Sequence, residues 1–144
     1  MKINEVYPGL FIRGRSDLLP YEDKAATVHS RGIRLVVNLW LHPDEELWAL
    51  VPAYWLMPIP DGPKWVVHAP RLERTATRIA ANLVNGHPVL VQCHAGRNRS
   101  AFLAALAIRA ATGCDGATAL AKVRAARPGA VAQPAFVSYL EGLS

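Results

Sequence analysis

VQCHAGRNRS, residues 91–100, decides how the rest of the chain is read. A short apolar run, PVLVQC, leads into it, and SAFLAALAIRAATG, apolar on nearly every side, leads away. The first reads as a strand buried on both faces and the second as a central helix ended by Gly113. Between them a loop holds Cys93 and Arg99 six positions apart, with His94, Ala95, Gly96, Arg97 and Asn98 in between. A loop that turns from a strand into a helix N-terminus aims several backbone N–H groups at one point. The helix dipole adds partial positive charge there, so the loop is an anion site before any side chain contributes.

The side chains sharpen that reading. A cysteine at the base of such a cradle sits in a field that favours its thiolate, a strong nucleophile. Arg99 presents a planar fork able to hold two phosphoryl oxygens at once, which lysine cannot copy. Ser100 can offer a hydroxyl to the cysteine sulfur as it leaves, and Gly96 permits a backbone angle closed to larger residues. Alone, Cys93 would read as an inert buried thiol; Arg99 and Gly96 at this spacing favour the nucleophile. Arg97 and His94 read as solvent-facing or as rim contacts to substrate, and Asn98 as a brace for the loop through its amide.

Outward from the loop, strands alternate with helices. VYPGLFIRG (residues 6–14) reads as two short strands about Pro8 and Gly9. A helix from Tyr21 stops at Gly32, IRLVVNLWL is a buried strand, and PDEELWAL is a short helix with acids in its first turn. YWLMPIP is another strand running into the turn-like PDGP. APRLERTATRIAANLVNGH repeats apolar residues at helical spacing, ATALAKVRAAR is a helix halted before Pro128, and AFVSYLEGL is a short final one. The expected class is α/β: one domain over residues 1–144, with a largely parallel central sheet of four to five strands flanked by helices.

Composition narrows the function. With 51% hydrophobic and 19% charged residues, the 144-residue chain is of ordinary folded type. No apolar run reaches the ~18 residues of a membrane span, and MKINEVYPGL lacks a signal-peptide pattern, so a cytoplasmic address is expected. Cys93 and Cys114 lack metal-ligand neighbours, which disfavours zinc; Cys114 reads as a small core residue near a helix end. The net charge of +5 favours acidic partners, but no long basic run points to nucleic acid.

The pattern Cys-x5-Arg-Ser, entered from a strand and left on a helix, resembles the cysteine-based protein phosphatases, in particular the compact dual-specificity type. VYPGLFIRG looks like that family's opening hairpin, LVVNLW like its first parallel strand, and ARPGAVAQPAFVSYL like its closing segment. The resemblance implies a phosphocysteine intermediate on Cys93, phosphate held by Arg99 and the amides of residues 94 to 99, and no metal or cofactor. It also implies an Asp on a separate loop as proton donor. Asp61, in PIPDGPKW, lies 32 positions before Cys93 at the end of an expected strand, although Pro-Asp-Gly is also a plain turn. The carboxylates of residues 44–46 are distant rivals, since a helix start already accounts for them.

Gln133 matches a region where some relatives position the hydrolytic water. Arg13 and Arg15 read as surface residues able to widen a basic rim. Two departures stand out: Gln92 where most members carry His, and Ala101 where Gly is usual. The implied substrate is a phosphorylated protein bearing phosphotyrosine, phosphoserine or phosphothreonine, or another phosphomonoester. A phosphoinositide or RNA 5′-phosphate, a non-catalytic phosphate-binding module and a rhodanese-type sulfurtransferase are the alternatives.

Overall fold

The computed structural model describes residues 1–14, 23–95 and 97–144; Gly96, Arg15 and Tyr21, where the sequence starts its first helix, lie outside them. A five-stranded sheet runs in the order β1-β2-β5-β3-β4. Its strands are β1 (Asn4–Tyr7), β2 (Leu10–Gly14), β3 (Leu35–Asn38), β4 (Ala53–Leu56) and β5 (Val89–Cys93). The β1–β2 hairpin is antiparallel, while β2–β5, β5–β3 and β3–β4 are parallel. Every residue of β2, β3 and β5 is buried, as expected of parallel strands covered on both faces.

Among the described residues six α-helices cover the faces: α1 (Lys24–Arg31), α2 (Glu45–Leu50), α3 (Ala69–Val84), α4 (Arg99–Thr112), α5 (Gly116–Ala126) and α6 (Pro134–Glu141). Their ends follow local chemistry. Asp23, Asp44 and Asp115 cap α1, α2 and α5 by accepting from a backbone N–H three residues on. Gly32 and Gly113 close α1 and α4 in the left-handed region, at φ 65° and 75°. Asp44 also accepts from Lys24 Nζ at 3.2 Å, so its carboxylate is committed to holding α1 and α2 together.

One face of the sheet carries Ile12, Val37, Val91 and Cys93 against α3 to α6; the other carries Phe11, Val36 and Leu90 against α1 and α2. Helix α4 is the centre of the larger layer, buried continuously from Ser100 to Ile108. Gly116 is required at the start of α5, where a Cβ would collide with the Leu140 carbonyl. PDGP is a turn, but it opens a 3-10 helix, Pro63–His68, that the sequence did not announce. Its Trp65 is 2% exposed and packs edge-on to Phe102 of α4, Phe136 of α6 and Tyr139, at 4.8, 5.2 and 5.0 Å between ring centroids.

Candidate active site

Parallel strands bring their C-terminal ends to one edge, where the connecting loops can converge on a ligand. Here Cys93 ends β5, level with Gly14 of β2, and the loop that follows delivers Arg99 and Ser100 as the first turn of α4. Cys93 is 2% exposed, and its thiol lies 3.3 Å from the buried Ser100 Oγ, to which it donates. Arg99 Nη1 donates to the Ile59 carbonyl at 3.1 Å, which ties the guanidinium to the segment leading to Asp61. Its Nε is buried with no hydrogen-bond partner among the described residues. A desolvated guanidinium N–H without an acceptor is costly, and an anion in the loop would satisfy it.

Beyond β4, the chain keeps pairing with β3: Met57 N–H donates to Asn38 O at 2.8 Å and Ile59 N–H to Leu39 O at 3.2 Å. That extension carries Asp61 to the loop. Its carboxylate is exposed and accepts from Asn98 Nδ2 at 3.2 Å, across 37 positions of sequence. The other end of the Asn98 amide, Oδ1, accepts from the N–H groups of Ala132 and Gln133 at 2.8 and 3.0 Å. The side chain of Gln133 caps α6, accepting from Ala135 N–H at 3.3 Å. Cys93, Arg99, Ser100, Asp61, Asn98 and Gln133 thus meet at one edge of the sheet.

Two other described loop residues, His94 and Arg97, face outward. His94 is exposed and lies against the Trp40 ring at 4.8 Å between centroids, and Trp40 contacts His42 at the same separation. Arg97 is exposed and lines an open cavity of about 420 Å³ with Lys2, Asn4, Ala126, Arg127 and Pro128. The Ala95 carbonyl accepts from Arg127 Nη2 at 3.1 Å, while Arg127 Nη1 reaches Asn4 Oδ1 at 2.8 Å. The Arg97 carbonyl accepts from Val131 N–H. Val131 is held at φ 57°, a left-handed angle unusual for a β-branched residue, with Arg124 bound to its carbonyl and that of Ala130 at 2.9 Å each. The closing segment therefore wraps the loop from outside.

No family model matches the chain, and no curated protein does. Solved structures do. Human DUSP28 is 28% identical over 96% of this chain and 90% of its own, with a TM-score of 0.75. A mouse protein of dual-specificity-phosphatase type, crystallised with zinc tungstate, is 26% identical over 96% and 84%, at 0.78. DUSP15 shares the fold at 23% identity over 96% and 85%, at 0.80. The fold is that of the compact dual-specificity phosphatases.

Within that fold, one expectation changes. Arg13, expected at the surface, is 1% exposed: β2 is an inner strand, and Arg13 lies beside Gln92 in register. Trp40 and Arg127 were not singled out, yet one packs on the loop and the other braces it. The signal for Trp40 was its place just past the end of a buried parallel strand; for Arg127 no local pattern marks a partner 32 positions back. Among the described residues neither Cys93 nor Cys114 forms a disulfide, and Cys114 is partly buried against the core, as expected of it.

Proposed function

We propose that residues 1–144 form a dual-specificity-type protein phosphatase domain that hydrolyses phosphomonoesters through a phosphocysteine on Cys93. The observation that carries this reading is the convergence, at one sheet edge, of a buried Cys93 thiol beside Ser100, the Arg99 guanidinium and the Asp61 carboxylate. Phosphate sits in the cradle of residues 94 to 99, held by backbone amides and the Arg99 fork. A relative crystallised with tungstate, an oxyanion of phosphate's shape, is in keeping with that assignment.

In the first step the Cys93 thiolate attacks phosphorus and the ester P–O bond breaks. The ester oxygen takes that electron pair and the proton of Asp61. In the second step the Asp61 carboxylate takes a proton from water as the water oxygen attacks phosphorus. The P–S bond then breaks, and its electron pair returns to a sulfur that Ser100 can hydrogen-bond. Gln133, at the edge of the same site, is our candidate for orienting that water. This chemistry asks for no metal or cofactor. The outward Arg97, with Lys2 and Arg127 around its cavity, favours a substrate with acidic groups near the phosphoester, hence a phosphoprotein.

The test is hydrolysis of para-nitrophenyl phosphate in the presence of EDTA. The wild type is expected to turn over and Cys93→Ser to be inactive, and on phenyl phosphate, whose leaving group needs a proton, Asp61→Asn should lose about 10²-fold or more in kcat. Phosphate binding without turnover in the wild type would instead identify a phosphate-recognition module.

A further inference from the structure

Asn98 occupies the residue before the first turn of α4, a position where asparagine ordinarily caps the helix with its own side chain. It does not do so here. A capping oxygen would compete with an anion for the N–H groups at the start of α4. The amide instead points away from the helix and uses its two ends on two different segments: Nδ2 on Asp61 Oδ2, and Oδ1 on the backbone N–H groups of Ala132 and Gln133. Neither segment is near it in sequence, the separations being 37, 34 and 35 positions. An amide is suited to this, since it joins a carboxylate to backbone donors without itself carrying charge.

We infer that Asn98 is the positioning residue of the acid: it fixes the Asp61 carboxylate and couples it, through one side chain, to the closing segment that carries Gln133. The inference rests on the phosphatase reading. The contact occupies Oδ2 and leaves Oδ1 of Asp61 to carry the proton. Swinging the Asp61 loop away from the phosphate would break the Nδ2 contact while leaving the two Oδ1 contacts in place. The side chain therefore biases the loop toward its working position without touching the phosphate.

Two substitutions separate the two ends. Asn98→Asp keeps an oxygen for Ala132 and Gln133 but replaces the N–H facing Asp61 with a second carboxylate oxygen. Asn98→Ala removes both ends. Each is made alone and with Asp61→Asn, and each protein is assayed on para-nitrophenyl phosphate and on phenyl phosphate, whose poorer leaving group depends more on a proton donor. Asn98→Asp should lose about 10-fold in kcat on phenyl phosphate, a share of the acid's contribution, and much less on the nitrophenyl ester. In the Asp61→Asn background either Asn98 change should cost almost nothing further.

Equal losses on the two esters, or losses that persist undiminished with Asp61→Asn, would overturn the inference while leaving the phosphatase reading intact. A wild type that hydrolyses neither ester sinks both. If Asn98→Asp does not fold, the cycle with Asn98→Ala gives the same discrimination.

Discussion

Behind Cys93 the sheet meets α3, α4 and α6 across a cluster of rings; behind Gln92, one residue earlier, it meets α1 and α2 beside a row of polar side chains. On the first face Trp65, Phe102, Phe136 and Tyr139 interlock, with Phe102 and Phe136 stacked at 4.4 Å. Trp65 lies four residues past Asp61, Phe102 three past Arg99, and Phe136 three past Gln133. The cluster therefore clamps the three elements whose leading ends build the site. On the second face Arg13, Gln92 and Asn38 lie in register across three strands, all buried. Asn38 is fully engaged, with Tyr54, the His42 carbonyl and the Trp40 N–H, whereas neither polar atom of the Gln92 amide has a partner among the described residues. One face packs behind the elements that carry the site, while the other holds a polar group left unsatisfied among the described residues.

The most damaging way to break this contrast is Trp65→Ala. Removing a buried indole with three ring partners should cost about 3–5 kcal/mol, read by urea denaturation. Because the total for a domain is only ~5–15 kcal/mol, part of the protein should unfold near physiological temperature. A cost under about 1 kcal/mol would show that the rings merely fill space and do not clamp.

The second face should respond with the opposite sign. Gln92→Met keeps length and volume but removes a buried amide that has no partner among the described residues. An unsatisfied polar group of this kind costs about 1–3 kcal/mol, so the variant should match or exceed the wild type in urea midpoint. A clear loss of stability would mean that Gln92 is hydrogen-bonded after all, and the two faces would then differ less than they do here.

The same contrast separates what the sequence could and could not disclose. β-branched runs at β3 and β5 disclosed buried parallel strands because two covered faces leave no room for alternation. Gly32 and Gly113 marked helix ends because a left-handed cap is a local requirement. Cys93 and Arg99 were legible because their loop is continuous in sequence. The burial of Arg13 was not, since β2 is covered only once β1 and β5 flank it. The Asn98 amide could be read as a brace, but its partners sit more than thirty positions away and are set by tertiary packing. The 3-10 helix after Asp61 was likewise hidden, its turn residues being compatible with an open loop.

The finest test of the ring face is Tyr139, whose ring belongs to the cluster while its hydroxyl donates to Glu73 Oε1 at 2.8 Å, joining α6 to α3. Burial, the hydrogen bond to Glu73 and the Glu73 charge all favour the neutral phenol, pushing its pKa from 10.0 up to about 12. The unfolded chain therefore loses this proton first. The stabilisation is complete below pH 10 and is lost as pH rises toward 12. Tyr139→Phe keeps the ring packing and deletes only the bond, so at pH 8 it should be less stable by about 1 kcal/mol. Melting both proteins from pH 8 to 11.5 should show that gap narrowing, because the phenylalanine variant lacks the alkaline slope. A gap constant across the range would place the Tyr139 contribution in its ring alone, and the cluster would then hold the site by apolar contact without help from Glu73.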